Sequence, residues 1–362
     1  MNETRAMKTL IAATLAVAAA ALGLPAAADD VPRTPAGKPD FTGTYNVATL
    51  TPLRRPEMFG DNLVLDPAEA ARIAEEERKL QEADLAPDDP NRTAPPKGGD
   101  GSTGAAGNVG GYNAFWVERG DGAFQINGEF RTSIITHPEN GQFPKMTPRG
   151  MQDFARRRAF YRENTGEAWW IEAELDPGPY DDPELRPLGE RCLLGFGSTA
   201  GPPMLPVLYN NTKRIIQNED TVVILVEMNH DARIVRMNAE HAPEDQRFWL
   251  GDSIGWWDGD ELVIETTNFR DETALSSATR DLKVTERFRY AEDGQVVYSF
   301  TVEDPNVWTE AWKGEYPWPR TDDRMFEYAC HEGNYALGGI LRGARRLERE
   351  ALAAGADSAG TE

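Results

Sequence analysis

Acid–base chemistry is the first activity that the residue types of this sequence could support, because a histidine lies beside a carboxylate in a short polar motif. His331 and Glu332 directly follow Cys330 at the end of a predicted strand, and Asn334 closes the motif. Polar groups that converge at the mouth of a β-barrel commonly form its binding or active site. His331 is therefore a candidate general acid or base, and the alternative is a hydrogen-bonded structural histidine.

A serine nucleophile is suggested by a second motif but is not favoured by its context. Residues 251–255, Gly-Asp-Ser-Ile-Gly, satisfy the pattern G-x-S-x-G. That pattern activates its serine only on a strained turn between a strand and a helix, whereas residues 256–260, Trp-Trp-Asp-Gly-Asp, predict a hairpin. The glycines then serve the turn itself. We assign the candidate acid–base and orienting roles to His331, Glu332, His241 and Asp252.

The histidine spacing does not predict a metal centre. The chain has 4 histidines, and none is paired at the spacing of a zinc-binding helix. A zinc site assembled from residues distant in sequence is the remaining alternative. Residues 104–111 are glycine-rich, but no Lys-Ser or Lys-Thr follows them as in a phosphate-binding loop. We therefore expect no metal and no organic cofactor.

Carboxylates within apolar strands form the second group of candidate residues. Glu227 ends the apolar run 222–226, and Glu286 and Glu303 alternate with apolar residues. A buried carboxylate is costly unless it has a partner, for which Arg233 is a candidate. Two interpretations remain open, namely a polar lumen that binds a ligand and a set of structural ion pairs. The candidate ligand-binding residues are Glu227, Arg233, Glu286, Glu303, Asn334 and Trp312.

Trp312 belongs to a group of tryptophans whose position admits two roles. Trp308, Trp312 and Trp318 are interleaved with proline and charged residues near the end of the predicted strands. Aromatic side chains mostly fill the core of a β-barrel. Interleaved with polar residues, they could instead line a groove for an aromatic or sugar-like ligand.

Short strands with turns between them must position these residues. Asp258-Gly259-Asp260 between two alternating runs is a strong hairpin signal. Asp66-Pro67 and Thr147-Pro148 each predict the start of a helix, through about residues 83 and 162, and a closing helix covers about 335–353. The predicted strands are 113–118, 129–136, 214–217, 222–228, 233–237, 253–257, 261–267, 282–290, 295–303, 308–316 and 325–331. The predicted fold is mainly β, an antiparallel meander closed into a barrel or barrel-like sheet of calycin-like form, with two helices in the N-terminal half and a C-terminal helix.

The expected organisation is one globular unit behind an export signal. Residues 1–28 combine Arg5 and Lys8, an apolar run and Ala-Ala-Ala, which predicts a cleavable signal peptide. Residues 29–187 are the expected N-terminal β and helix portion, with a mobile loop over 86–111. The C-terminal meander is expected over 188–334, and a helix and tail over 335–362.

Export makes the two cysteines a candidate disulfide. Disulfides form in oxidising compartments such as the periplasm, where we expect this protein. Cys192 and Cys330 would then close a long loop, and the alternative is two buried thiols. The formal charge of −22 disfavours nucleic acid as a partner, and no apolar run after the signal predicts membrane insertion.

Several motifs together resemble an uncharacterised family of exported bacterial proteins. They are Cys-Leu-Leu at 192–194, Gly-Pro-Pro-Met-Leu-Pro at 201–206, Glu-Met-Asn-His-Asp-Ala-Arg at 227–233, Gly-Asp-Ser-Ile-Gly at 251–255, Glu-Thr-Thr-Asn-Phe at 265–269, Thr-Val-Glu-Asp-Pro at 301–305 and Glu-Tyr-Ala-Cys-His-Glu-Gly-Asn-Tyr at 327–335. The resemblance implies no particular activity. Its pattern has histidine where this chain has Asp252 and Lys283, so a mechanism that needs those two histidines does not carry over. Residues 41–45 are also similar to the first strand of lipocalin-type barrels.

Two hypotheses about function follow from these residues. The first is a periplasmic, cofactor-independent hydrolase or lyase that acts on a small or amphipathic molecule. The second is a non-catalytic small-ligand-binding barrel or a cell-envelope interaction module. Convergence of the polar residues in one pocket would favour the first hypothesis, and their separation would favour the second.

Overall fold

The computed structural model describes residues 31–84, 117–162 and 165–359. The predicted signal peptide and the predicted loop 86–111 lie outside these residues, as does most of the predicted strand 113–118. Within the described part of the chain, no helix is long and apolar enough to cross a membrane.

The strands of the described residues form one large sheet and one small hairpin. Their bounds are β1 Gly43–Asn46, β2 Gln125–Ile126, β3 Glu129–Phe130, β4 Ile135–His137, β5 Thr212–Gln217, β6 Thr221–Val226, β7 Ala232–Met237, β8 Asp252–Asp258, β9 Glu261–Thr267, β10 Lys283–Tyr290, β11 Val296–Glu303 and β12 Trp312–Trp318. The large sheet has 10 strands in the order β1-β5-β6-β7-β8-β9-β10-β11-β12-β4, and β2 pairs with β3. The fold is therefore mainly β, as predicted.

The prediction of a purely antiparallel meander is wrong at one position. Strands β7 and β8 are parallel, with Val235 opposite Ser253 and Met237 opposite Gly255. Parallel neighbours cannot be joined by a tight hairpin. Residues 238–251 supply the longer connection, which returns the chain to the end of the sheet where β7 begins.

The sheet curls into a half-barrel, so a closed barrel is wrong and the barrel-like alternative of the prediction is confirmed. Its edge strands are β1 and β4. Beyond β12, the chain meets β1 at an isolated bridge between Tyr45 and Arg320. Two backbone hydrogen bonds flank this bridge, from the Asn46 amide to the Pro319 carbonyl at 3.1 Å and from the Thr321 amide to the Thr44 carbonyl at 3.0 Å. These contacts are too few to form a continuous strand pairing between β1 and β12.

Aromatic side chains fill the interior of the curled sheet. Side chains alternate between the two faces of a strand, so every second residue of β10 to β12 points inward. Tyr298 packs against Trp318 with ring centroids 5.3 Å apart, and Phe300 packs against Trp312 at 5.5 Å. Trp312 is fully buried. In this structure it belongs to the packed core and not to an open groove.

The described residues contain four α-helices beside the sheet, where three helices were predicted. They are α1 Pro67–Asp84, α2 Pro148–Phe160, α3 Trp169–Glu172 and α4 Tyr335–Ala359. The predicted starts of α1, α2 and α4 are confirmed, and the Thr147 hydroxyl caps α2 by accepting from the Gly150 amide at 3.0 Å. Helix α4 buries Ala344 against Trp169 and Trp170, a cluster separate from the main core.

The final predicted strand, 325–331, is wrong. Residues 321–329 have no regular secondary structure. They run over the end of the sheet, where the disulfide between Cys192 and Cys330 fixes them with a Cα–Cα distance of 5.7 Å. The predicted disulfide is thereby confirmed. It attaches this segment covalently, whereas a strand would be attached by backbone hydrogen bonds.

Candidate functional site

The four predicted acid–base residues occupy two separate places. His331 and Glu332 lie in the exposed turn after Cys330, and their side chains make no hydrogen bond or ion pair with other described residues. His241 and Asp252 lie together on the outer face of the sheet, where His241 Nδ1 is 2.9 Å from Asp252 Oδ2. The structure therefore brings His241 and Asp252 together but does not join them to His331 and Glu332.

His241 is one link in an outer charge stripe that crosses five strands. Its carboxylates alternate with Arg236, the His241 ring and Lys283, and its members in order are Arg236, Asp252, His241, Glu265, Lys283 and Glu303. The separations along it are 2.9 Å from Arg236 to Asp252, 3.3 Å from His241 Nε2 to Glu265, 3.6 Å from Glu265 to Lys283 and 3.2 Å from Lys283 to Glu303. Glu303, predicted to face a lumen, thus lies on the outside.

The contacts within the stripe hold its groups in place. Burial raises the pKa of Asp252, but hydrogen bonds from the Ala242 amide, His241 and Arg236 outweigh it and bring the pKa below its usual value. Both ring nitrogens of His241 face carboxylates. Lys283 supplies the cation between Glu265 and Glu303.

Arg233 and Glu286 form a buried ion pair inside the sheet. Arg233 Nη2 lies 2.6 Å from Glu286 Oε2, and Nη1 lies 3.0 Å from Oε1, which is a bidentate pair. The two side chains are 1% and 0% exposed. Arg233 also donates to the hydroxyls of Ser253 and Thr266, and Tyr298 donates to Glu286 at 2.7 Å. The geometry is that of a bidentate ion pair in a packed interior, which supports the second of the two interpretations left open above.

This ion pair also anchors a loop at one end of the sheet. The Tyr298 hydroxyl accepts a hydrogen bond from the Met204 amide at 2.9 Å, and the Tyr316 hydroxyl donates to the Met204 carbonyl at 2.7 Å. Burial raises the pKa of both tyrosines, so both hydroxyls stay protonated. Met204 is therefore hydrogen-bonded to the interior through both its backbone amide and its backbone carbonyl.

Two segments close this end of the sheet, and we call them the cap: residues 192–207 and 326–334, joined by the disulfide. Asn334 donates to the Glu190 carbonyl at 2.8 Å and accepts from the Leu337 amide at 3.2 Å, which caps α4. Glu227 accepts from the Phe326 amide at 2.8 Å. Asn334 and Glu227, both predicted to bind a ligand, thus hold the cap in this structure.

Lys213, which sequence analysis missed, lies beneath the cap. Its side chain is fully buried, and its Nζ donates to the Thr199 carbonyl at 2.8 Å. No carboxylate of the described residues lies within 4 Å of it. Burial, which has the largest effect, and the charge of Arg233 together lower the pKa of Lys213 to about 7, against the opposing charges of Glu227 and Asp231.

Asp231 lies at the same end of the sheet and is a second buried group whose pKa is moved toward neutrality. Burial raises its pKa to about 6, although the Gly195 amide, 3.2 Å from Oδ2, favours the charged form. An amine and a carboxyl group whose pKa values both lie near neutrality can exchange protons at physiological pH. We call Lys213 and Asp231 the near-neutral pair.

The backbone around the near-neutral pair adopts an uncommon conformation. Asn229, His230, Cys192 and Asn210 have φ values of 60°, 43°, 55° and 54°. Such left-handed residues cost energy unless they are glycine, and they are concentrated at functional sites. The sequence Asn-His-Asp at 229–231 lies between the predicted strands 222–228 and 233–237, where no site was predicted. A signal for Lys213 was its two-residue spacing from the apolar Ile215, which puts both on the inner face of β5.

Comparison of the chain with known protein-family models and with curated proteins gives no match. The chemistry of the cap and of the near-neutral pair is therefore interpreted from geometry and charge.

Proposed function

We propose that this protein is a cofactor-independent acid–base enzyme, a hydrolase or lyase, that acts on a small or amphipathic molecule at the capped end of the sheet. Lys213 is the general base and Asp231 the general acid. One observation carries the proposal: the Lys213 amine is fully buried, and the carbonyl of Thr199 is its one hydrogen-bond partner among the described residues.

Burial is what makes the amine of Lys213 a base near pH 7. An exposed lysine is protonated at that pH, whereas the charged form of an enclosed amine without a carboxylate partner is destabilised by lost hydration. Asp231 is affected in the opposite sense, since burial favours its protonated form. Environments that bring two titratable groups toward neutrality are typical of acid–base sites.

The cap supplies a route for an amphipathic substrate. Phe196, Leu208 and Phe326 are 42%, 42% and 65% exposed around it. Apolar side chains at a surface are typical of sites that receive an apolar group. Because Lys213 is enclosed, the proposal requires residues 198–205 to move before a substrate reaches the amine. The disulfide would keep the cap attached during that motion.

Export to the periplasm is part of the same proposal. The disulfide supports it, because such bonds persist in oxidising compartments. A barrel-like enzyme of the cell envelope would then meet its small-molecule substrate outside the cytoplasm.

A non-catalytic binding or interaction module is the second candidate function. It is favoured by the separation of His331 and Glu332 from His241 and Asp252. It is also favoured by the packed aromatic interior. In that function Lys213 would serve only to hold Thr199 and the cap in place.

The test is turnover and its pH dependence in Lys213→Met and in the matched surface variant Lys313→Met. Small chromogenic esters test hydrolysis, and β-hydroxy acids test elimination. Because the base must be neutral and the acid protonated, kcat/KM should follow a bell-shaped profile with a maximum at about pH 6.5. Lys213→Met should lose at least about 100-fold in kcat, within the usual contribution of general acid–base catalysis. Lys313→Met should not change it. A folded Lys213→Met protein with the activity of the parent contradicts the proposal.

A further inference from the structure

A cleft with an excess of arginine lies between two connections of the sheet, and the proposed enzyme function does not use it. It encloses about 320 Å³ and is lined by Asp245 and Arg247 from the β7–β8 connection and by Arg270, Asp271 and Arg280 from the β9–β10 connection. This volume is within the range of small-ligand sites.

Contacts within the protein hold the three guanidinium groups in place. Arg247 Nη1 donates to the Arg280 carbonyl at 3.0 Å. The guanidinium of Arg270 lies over the ring of Trp249, 4.5 Å from its centroid, which is a cation–π contact. Arg280 Nε lies 3.3 Å from Asp271 Oδ1. Groups that are already ordered lose little entropy when they bind a ligand.

Two of these arginines have no carboxylate partner. Among the described residues, Arg280 pairs with Asp271, but no carboxylate lies within 4 Å of a nitrogen of Arg247 or Arg270. Arg247 Nε is moreover buried without any hydrogen-bond partner there. The chain has 60 acidic residues against 38 Lys and Arg. In so acidic a chain, most surface arginines are expected to have a carboxylate partner. Two neighbouring arginines without one among the described residues therefore indicate a site for an external anion.

We propose that this cleft binds the oxyanion group, carboxylate or phosphate, of a small molecule. Arg247 and Arg270 bind the anion, since a guanidinium donates two parallel hydrogen bonds to either group. Asp245, which also lines the cleft, accepts a hydrogen bond from a hydroxyl or amine of the same molecule. Charge balance explains the selectivity: the pair Arg280–Asp271 is neutral, and Arg247, Arg270 and Asp245 leave one positive charge for the ligand.

Inorganic phosphate and acetate are the probes, titrated into the full chain at low ionic strength and followed by calorimetry and by arginine side-chain NMR. Saturable binding of either probe is expected, with one site per chain. Arg247→Gln and Arg270→Gln should each weaken it at least tenfold. Arg156→Gln, on exposed helix α2, is the matched control and should leave it unchanged. Circular dichroism verifies that each variant is folded, and the exposed Arg270 tests the cleft even if Arg247→Gln does not fold.

Three outcomes would overturn the proposal. The first is the absence of saturable binding of both probes. The second is binding that Arg270→Gln leaves unchanged. The third is Arg270-dependent sedimentation with anionic phospholipid vesicles without binding of either free anion, which would assign the oxyanion to a lipid surface. Turnover of the Lys213 site is measured separately, so either site can fail without the other.

Discussion

Arg233 and Lys213 are two buried cations on the inner face of the same sheet, and they differ in what surrounds them. Arg233 has a bidentate carboxylate, two hydroxyls and, through Glu286, a tyrosine. Lys213 has one backbone carbonyl. The guanidinium of Arg233 stays charged because its carboxylate partner compensates the charge, and the pair stabilises one arrangement of the core. The amine of Lys213 has no such partner in the part of the chain that the structure describes, so burial favours its neutral form. The comparison separates a structural charge from a chemically useful one.

Breaking the compensated pair should have the largest effect. Glu286→Gln leaves the Arg233 charge buried without its counter-ion, so the free energy of unfolding should fall by about 3–5 kcal/mol. Urea denaturation measures it. The double variant Arg233→Met/Glu286→Leu should recover most of the loss, because it removes both charges. A loss below about 1 kcal/mol in Glu286→Gln would mean that the pair is not the structural element described here.

Removing the uncompensated amine should stabilise the protein, and by an amount that depends on pH. The pKa of Lys213 is about 7 in the folded protein and 10.5 as its ordinary value. Its contribution to stability is thus fully present above pH 10.5 and is lost as the pH falls toward 7. Lys213→Met removes this loss, so its advantage over the parent should grow from pH 10.5 down to 7, by at most about 5 kcal/mol, which corresponds to the full difference between the two pKa values.

The outer charge stripe extends the comparison to solvent-exposed pairs and should show the smallest effect. His241→Ala removes its contacts with Asp252 and Glu265, which lie at a partly exposed surface. The expected loss is about 0.5–1 kcal/mol in thermal or urea unfolding. Lys313→Met, outside the stripe, is the control. A loss above about 2 kcal/mol would mean that the stripe stabilises the fold as strongly as a buried ion pair does, which contradicts this prediction.

Much of the sheet was predictable because period-two alternation is local. The hairpin around Asp258-Gly259-Asp260 lies where predicted, at β8 and β9. The parallel pairing of β7 with β8 was not predictable, because it depends on the path of residues 238–251 and not on either strand. The structure of residues 325–331 was not predictable either. Their side chains alternate as in a strand, but residues 325–329 pair with no strand of the sheet.

The candidate site was only partly predictable, and for a physical reason. The disulfide between Cys192 and Cys330 was predictable, because an exported chain with two cysteines is expected to form one. Lys213 was missed because the predicted strand began at Arg214, and a lysine at a strand end is usually solvated. Its burial depends on residues 198–205 folding over it, which is a contact between segments that sequence patterns do not specify.

The most direct test of this account is the ionisation of Lys213 itself. Lysine side chains labelled with ¹³C at Cε report protonation by chemical shift, and Lys213→Met identifies the resonance by its loss. The account predicts a midpoint near pH 7 for this resonance. A Lys213 amine that stays charged above pH 9 would contradict the proposed base and leave the lysine as an anchor for the cap.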